Sequence, residues 1–322
     1  MSGVRIAIII VNYRTPDLVR DCLDSLVEPA ARLGLRVFVG DADSGDGSTA
    51  IIRDHIAQQG YDWAECHDIG RNGGFAYGNN AIYRRSVQPD PSFGYIHFLN
   101  PDTVIRPGAV DRLWEFLRDH PSAGIAGSRL EDPDGTLRAY GFRAPVPWRE
   151  FFRGLRFGPV DRLVPSGAIK IENLSRTQQV DWVTGASFMA TRAVLDDVGL
   201  MDDGYFLYFE ETDLMTRARQ AGYEVWHVAD SHVVHLAGQS TGLRSGDRPA
   251  APKPVSPIWL QSRNRYLRKH HGRAGLWAGT ALYLAGDALF RVQSVLRGQR
   301  GRSAPHLWRD YLRGARAGAP RT

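Results

Sequence analysis

The chain has 322 residues, 43% hydrophobic and 23% charged, the balance of a folded protein rather than a disordered or low-complexity one, and long enough for one large α/β domain or one domain with a C-terminal appendage. Its net charge of +5 is uneven: residues 258–322 hold thirteen Lys/Arg against two Asp, a net of +11, while residues 1–257 hold 27 against 33, a net of −6. A mildly acidic body with a basic tail suits an anionic contact for the tail: phospholipid head groups, nucleic acid or an acidic partner.

The opening segment "MSGVRIAIIIVNY" has no basic leader, and its apolar run is too short for a signal peptide or a spanning helix. Its β-branched residues Ile8, Ile9, Ile10 and Val11 read as a buried parallel strand. Residues 15–27 place apolar residues at helical spacing, with Thr15 expected as N-cap and Pro16 in the first turn. "LRVFVGDAD" is a second strand, and "DGSTAIIRDHIAQQG" a second helix closed by Gly60. "WAECHDIG" is a short third strand, "GFAYGNNAIYRRSV" a third helix and "FGYIHFLN" a fourth strand. This alternation implies right-handed crossovers and a parallel sheet. A helix with Pro107 near its start follows, then a strand and a hairpin around Pro133-Asp134-Gly135. Residues 141–178, rich in Pro, Arg and Phe, read as a loop or flap. "VDWVTGASFMATRAVLDDVG" returns to strand and helix. "YFLYFEETDLMTRARQAGY" is an aromatic strand or turn entering a helix closed by Gly222, and "EVWHVADSHVVHLAG" holds two short strands. Residues 239–257 are expected to be mobile. No later stretch is long and apolar enough to cross a bilayer, and Cys22 and Cys66, without metal-ligand spacing, read as reduced, partly buried thiols of a cytosolic protein.

Ligands of open parallel sheets sit beyond the carboxyl ends of the strands, where "VNYR" (11–14), "GDADSGDGS" (40–48) and "NPDT" (100–103) fall. Asp102, on a tight turn after a buried strand, suits a hard divalent cation that takes one or two carboxylates plus substrate phosphates, or it simply starts the turn. Asp41 either contacts a sugar hydroxyl or a base, or serves as a turn acid, and Asp46 is expected to open the next helix. No GxGxxG follows the first strand, which argues against a dinucleotide fold. "GRNGGFAYGNN" allows close backbone approach to a ligand and offers Arg71, but lacks the Lys-Ser/Thr ending of a P-loop. In "FEETD" (209–213) the helix dipole alone would favour acids. The surrounding Tyr205, Phe206, Tyr208 and Phe209 would partly desolvate them, raising a carboxyl toward the range of a general base. His232 or His235 is a candidate metal or phosphate ligand.

Taken in order, "IIIVNYR", "GDADSGDGS", "NGGFAYGNN", "FLNPDT", "VTGASFMATRAVLDDVGLMDDGYFLYFEETDLMTRARQAGY" and "HVVHLAGQST" resemble family 2 glycosyltransferases, and within them the bacterial rhamnosyltransferase-like enzymes, over roughly residues 4–242. The resemblance implies a GT-A fold with a mixed, mostly parallel sheet flanked by helices, and a nucleotide-diphosphate sugar as donor. It further implies that Val11, Tyr13 and Asp41 hold the nucleobase, and that Asn72, Gly73, Phe75 and Asn79 border the diphosphate and ribose. Asp102 would be the last acid of the metal-binding DxD motif, whose first position here is Asn100. His235 would join the metal (Mg²⁺ or Mn²⁺) or the leaving phosphate, and Trp182, Gly185 and Ala186 would floor the acceptor site. Where the family has Glu-Asp this chain has Glu210-Glu211, so the position of the base is Glu211, with Glu210 or Asp213 as alternatives. A second departure is Asp41-Ala42, where the family commonly has Asp-Asn.

The expected organisation is a GT-A domain over 1–242, a flexible linker over 243–257 and a basic amphipathic helical region over 258–322. Within that region "RAGLWAGTALYLAGDALFRVQSVL" suits an interfacial helix or one packed on the domain or a second subunit. The expected function is a metal-dependent inverting transfer of a rhamnose-like sugar, from dTDP-rhamnose, to a polyprenyl-diphosphate-linked or polysaccharide acceptor. The expected place is the cytoplasmic face of the plasma membrane. The alternatives are a UDP-hexose donor and a non-catalytic module for nucleotide sugar or nucleic acid; no nucleic-acid-binding signature is present.

Overall fold

The computed structural model describes residues 5–137, 141–156, 164, 166–171, 174–236, 253–298 and 303–317. Most of the stretch expected to be mobile (239–252), and with it residues 243–252 of the expected linker, lies outside them. Two compact units emerge, one built on Met1–Phe142, Glu172–Phe206 and Glu210–Ser245, the other on Arg143–Ile171, Leu207–Phe209 and Gly246–Thr322.

The first unit is organised by a mixed sheet. Strands β1 (Arg5–Asn12), β2 (Arg36–Asp41), β3 (Ala64–Asp68) and β4 (Phe93–Leu99) are parallel, in the spatial order β3-β2-β1-β4. The chain thus builds outward from β1 on one side and then crosses to the other, leaving a switch point between β1 and β4. Next to β4 lies the antiparallel β10 (Ser187–Thr191), then β6 (Ala123–Glu131) and, parallel to β6, β11 (Glu224–His235). Two three-residue strands, β5 (Thr103–Ile105) and β8 (Gln178–Val180), join β11 antiparallel. Hence β1, β2, β3, β4, β6 and β11 run one way and only β5, β8 and β10 the other, the mostly parallel arrangement expected. A separate pair, β7 (Gly141–Phe142) and β9 (Trp182–Val183), lies off the main sheet.

Residues Ile6 to Ile10 are buried along their whole length because helices cover both faces of β1. The helices are α1 (Pro16–Asp24), α2 (Val27–Leu33), α3 (Ser48–Gln59), α4 (Phe75–Ile82), α5 (Ala109–Asp119), α7 (Arg192–Val198) and α8 (Glu210–Gln220), with α6 (Arg149–Leu155) in the second unit. Across the buried sheet a chain of polar side chains stitches β4 to β11: His97 Nε2 to Ser187 Oγ (2.9 Å), Ser187 to Ser128 (2.8 Å), Ser231 to Ser128 (2.9 Å), and Ser231 to the Ala109 carbonyl (2.9 Å). Each partner lies on a different element, so the chain penalises a one-residue slip of any strand.

Three sequence expectations change. Thr15 does not cap α1 through its side chain; its N–H and hydroxyl both donate to Asn12 Oδ1. The two short strands expected over residues 224–235 are one strand, bent by a register shift between Val228 and His232. The segment 141–178 is more than a loop: it supplies β7, α6 and β8.

The second unit is helical. α6 lies against α9 (Pro257–Leu296), a 40-residue helix broken at Gly272 (φ 68°), and α10 (Leu307–Ala317) packs on α9 around Leu260, Tyr283, Leu284 and the stacked pair Tyr283–Tyr311 at 4.2 Å. α6 and α9 touch backbone to backbone. A Cβ on Gly154 would sit 2.2 Å from the Tyr283 carbonyl oxygen, and one on Gly286 2.1 Å from that of Phe151. Beside this contact Glu150 is buried and accepts from Arg153 (2.5 Å) and from Arg263 Nε (2.6 Å), with Arg263 Nη2 in ion-pair contact at 2.6 Å. Directly after Gly286 on α9, Asp287 is fully buried and accepts from Arg156, Arg291 (2.7 Å), Ser303 (3.1 Å) and Trp308 (2.8 Å). The acid that interrupts the apolar run of the tail is therefore an internal anchor.

Removing one partner of a buried ion cluster costs about 3–5 kcal/mol, because the remaining charge stays desolvated. Glu150→Leu, which strands Arg153 and Arg263, is expected to lower unfolding free energy by that amount in urea titration. An exposed control such as Asp54→Leu should change it by less than about 0.5 kcal/mol.

Candidate active site

The carboxyl ends of β1, β2 and β4 and the amino end of β10 share one edge of the sheet. Register fixes who meets whom there: Asn12 lies opposite Asp41, Leu99 opposite Ser187, and Thr103 opposite His235. The three polar segments singled out in the sequence therefore converge.

At the β1–β2 end, Asp41 is buried and held rigid. Asn12 Nδ2 donates to its Oδ1 (2.6 Å), as does Ser44 Oγ (2.7 Å), and the Ser44 N–H donates to Oδ2 (3.1 Å). The backbone and Nε of Arg14, a residue in the left-handed region (φ 59°), donate to Ser44 Oγ and O (2.9 Å each). Val11 is half-buried and Tyr13 is 40% exposed, with the Arg14 guanidinium 5.2 Å from its ring centroid. The flat, accessible ring beside a buried acceptor is a surface on which a base could stack. Asp46 accepts from the N–H and hydroxyl of Ser48, opening α3 as expected.

The glycine-rich entry to α4 comes close to other backbone. Gly74 sits at φ 90°, where a Cβ would meet the Phe206 carbonyl oxygen at 2.0 Å, and the next residue, Phe75, donates its N–H to that same oxygen (2.9 Å). Asn72 is exposed and caps the turn through the Gly74 N–H (3.1 Å), and Gly73 has no room for a side chain against the Tyr77 ring. Arg71 lies over the Tyr77 ring at 4.2 Å. Asn79 is buried and donates to the Phe75 carbonyl within its own helix (2.9 Å), so its amide faces the helix and not the edge. Its neighbour Asn80, which sequence reasoning missed, donates to the Met201 carbonyl (2.7 Å) and to Asp203, tying α4 to the segment before α8.

At the β4–β10 end, the Asn100 N–H donates to the Ala186 carbonyl (2.9 Å) and Thr103 Oγ1 to the Asn100 carbonyl (2.7 Å), closing a tight turn over the buried Cys22 thiol. Burial pushes that thiol up to about 12, which makes it inert packing. Asp102, 1% exposed, faces His235 Nε2 at 3.3 Å. The alternative histidine, His232, is paired with Glu131 instead (3.5 Å). One carboxylate and one imidazole form a donor set that fits Mg²⁺ or Mn²⁺ only if oxygens of a bound diphosphate and water complete the shell. No cluster of three protein ligands exists among the described residues, in keeping with that division.

The acids of α8 have three different fates. Asp213 is fully buried and accepts from Arg217 Nε (2.9 Å), whose other nitrogens donate to the carbonyls of Val198, Gly199 and Leu200 (2.7 Å to the last). This places Asp213 in a structural clamp. Glu210 is buried at the helix start. Glu211 is partly exposed, but its Oε2 is buried and finds no hydrogen-bond partner among the described residues. Burial raises its carboxyl to about 7, against the opposing pull of the backbone N–H groups of Glu211 and Thr212. Its Cβ lies 3.9 Å, and the Phe75 ring 3.5 Å, from where a Cβ on Gly185 would stand, so Gly185, Phe75 and Glu211 line one spot beside Ala186. Just before α8, Tyr208 (φ 72°) and Phe209 (φ 70°) both hold left-handed backbone, at about 1–2 kcal/mol each; such strain concentrates at functional sites. Trp182, half-buried, stacks on Phe142 at 4.2 Å in the small β7–β9 sheet, and the Val183 N–H beside it contacts Met215 of α8.

Comparison with known proteins bears on family and fold. The family profile described as "Glycosyl transferase family 2" matches residues 7–199. The N-acetylglucosaminyl-diphospho-decaprenol L-rhamnosyltransferase of Mycobacterium tuberculosis is 28% identical over 207 residues, 63% of this chain and 64% of that protein. The rhamnosyltransferase WbbL of Escherichia coli is 28% identical over 170 residues, 51% of this chain and 61% of that protein. The chain thus spans a little under two thirds of the length of these curated relatives. Among solved structures, the mannosyltransferase PcManGT from Pyrobaculum calidifontis, in complex with GDP-Man and Mn²⁺, superposes with a TM-score of 0.54 at 16% identity over 98% of this chain and 86% of that one. GalNAc-T7 with UDP, GalNAc and Mn²⁺ gives 0.57 at 13% identity over 93% and 55%. At those identities the likeness is one of fold, the GT-A-like fold expected from the motifs.

A carboxyl whose folded-state value lies above its unfolded one holds its proton more tightly when folded. Stability then falls as pH rises from the ordinary glutamate range to about 7, and the loss is complete above it. Glu211→Gln removes that loss. The variant is expected to be more stable than the parent by about 1–3 kcal/mol at pH 8 and nearly equal at pH 4, read from thermal melts across pH.

Proposed function

The chain belongs to glycosyl transferase family 2, and from that premise we propose that it moves a sugar from a nucleotide-diphosphate donor to an acceptor hydroxyl, with inversion at the anomeric carbon. The observation that carries the reading is the desolvated Glu211 carboxylate, lining one spot with Gly185 and Phe75 on the sheet edge that also bears Asp102 and His235. In this reading Glu211 Oε2 takes the acceptor proton as the acceptor oxygen attacks the anomeric carbon. With its affinity near neutrality, it is a working base at physiological pH. Asp213, committed to Arg217, holds the helix that presents Glu211.

Asp41, oriented by Asn12 and Ser44, accepts a base N–H, and the Tyr13 ring stacks on the base. Asn72, Gly73 and Phe75, in the tight entry to α4, border the diphosphate. Asp102 and His235 hold a divalent cation, with Asn100 fixing the turn that presents it; when bound, the ion offsets the charge that develops on the departing diphosphate. Mn²⁺ is favoured by its presence in both solved relatives. Trp182, Gly185 and Ala186 floor the acceptor site. The relatives' names favour L-rhamnose as the sugar, hence dTDP-rhamnose as the donor, and a polyprenyl-diphosphate-linked sugar as the acceptor.

Purified protein with Mn²⁺ and a panel of dTDP-, UDP- and GDP-sugars is expected to transfer or slowly hydrolyse one class, dTDP-rhamnose first. Asp102→Ala and Glu211→Gln should each lower kcat/KM about 10²–10⁴-fold. The parent's kcat/KM should climb with pH to a plateau above about 7 as Glu211 ionises. Release of no sugar from any donor, or Asp102→Ala matching the parent, would contradict the proposal. A UDP-hexose as the one accepted donor would keep the reaction and change the sugar.

A further inference from the structure

The second half of α9 turns an unbroken apolar face to solvent. Trp277, Ala281, Ala285, Leu289, Val292 and Leu296 recur every three or four residues, which at 100° per residue gathers them within an arc of about 120°. All are exposed: Trp277 by 41%, Leu289 by 48%, Val292 by 57% and Leu296 by 81%. The stripe is about 30 Å long at 1.5 Å per residue. Single exposed apolar side chains are ordinary, but a continuous helical stripe marks a contact surface. The other face of the helix is already occupied, with Leu276, Tyr283, Leu284 and Asp287 buried.

Charge identifies the partner. Between Arg273 and Gly298 the one acid is Asp287, and it is fully buried on Arg156, Arg291 and Trp308. Every charge this stretch shows to solvent is positive: Arg273, Arg291 and Arg297. A second copy of the chain would set these arginines against their own kind. A layer of anionic head groups over an acyl interior matches both features. No described helix is long and apolar enough to cross a membrane, which leaves a helix lying in its plane.

We propose that α9 is a membrane-docking helix, its Trp277–Leu296 stripe sunk at the boundary between head groups and acyl chains of an anionic leaflet and its arginines on lipid phosphates. This surface is independent of the sugar-transfer reading.

The test is co-sedimentation of the full chain with vesicles of phosphatidylcholine alone or mixed with phosphatidylglycerol. Deleting the tail is unsuitable, because loss of Arg263 would leave Glu150 without one of its two arginines. Instead Trp277→Ser, Leu289→Gln, Val292→Gln and Leu296→Gln are combined in one variant, and Arg273→Glu with Arg297→Glu in another. The parent is expected to bind the anionic vesicles about tenfold or more tightly than the neutral ones, less so as salt rises. The apolar variant should lose about tenfold or more on anionic vesicles, and the arginine variant should lose the anionic preference while keeping the parent's melting curve. Binding of the parent to neither vesicle, or undiminished binding by both variants, would overturn the proposal. So would light scattering that shows a parent dimer, dissolved by the apolar variant, with no vesicle binding in either.

Discussion

A strand of three residues brings Asp102 and His235 together. Thr103–Ile105 pairs antiparallel with the end of β11, placing Thr103 opposite His235, and the Leu236 N–H donates to the Asp102 carbonyl at 2.9 Å. Beyond that pinned backbone, the Asp102 carboxylate faces His235 Nε2 at 3.3 Å. The turn that leads into it is fixed from the other side by Asn100 on Ala186. Two ladders, β4 with β10 and β5 with β11, therefore meet at the turn holding Asp102, and a carboxylate and an imidazole from residues 133 positions apart become neighbours. A hard cation shared with a diphosphate needs two preset donors and open positions for the rest.

The three acids of α8 show how environment divides identical chemistry. All lie in the first helical turn, where the dipole favours the ionised form. Asp213 is matched to Arg217 and becomes part of the scaffold. Glu211 has no such partner, and its buried Oε2 is desolvated more than the dipole and two backbone N–H groups can offset. The outcome is one acid for architecture and one whose carboxyl is raised to about 7, a few residues apart.

Much of this was legible in the sequence. The β-branched run of β1 and the strand–helix alternation announced the parallel half of the sheet, and the polar segments at 11–14, 40–48 and 100–103 lie on its carboxyl edge. Asp213, an alternative base in the sequence reading, instead pairs with Arg217 four residues on along the helix. What stayed hidden depends on tertiary contacts. Helix α6 is two turns long and forms because Gly154 and Gly286 let it meet α9 backbone to backbone, which no local periodicity reveals. The two short strands expected over residues 224–235 are one, because the chain absorbs Asp230 and Ser231 as a register shift, with Ser231 bonded to Ser128 in the core. Asp287 interrupts the apolar run of its helix and is that helix's internal anchor.

The electrostatic frame at the sheet edge can be read directly with manganese. Electron paramagnetic resonance of bound Mn²⁺, titrated with the nucleoside diphosphate of the accepted donor, measures whether protein and diphosphate complete one coordination shell. Tight Mn²⁺ binding that appears only with the diphosphate, vanishes in Asp102→Ala and survives in Glu211→Gln is the expected result. Mn²⁺ held equally well by Asp102→Ala, or with no dependence on the diphosphate, would contradict the assignment of this edge as the donor site.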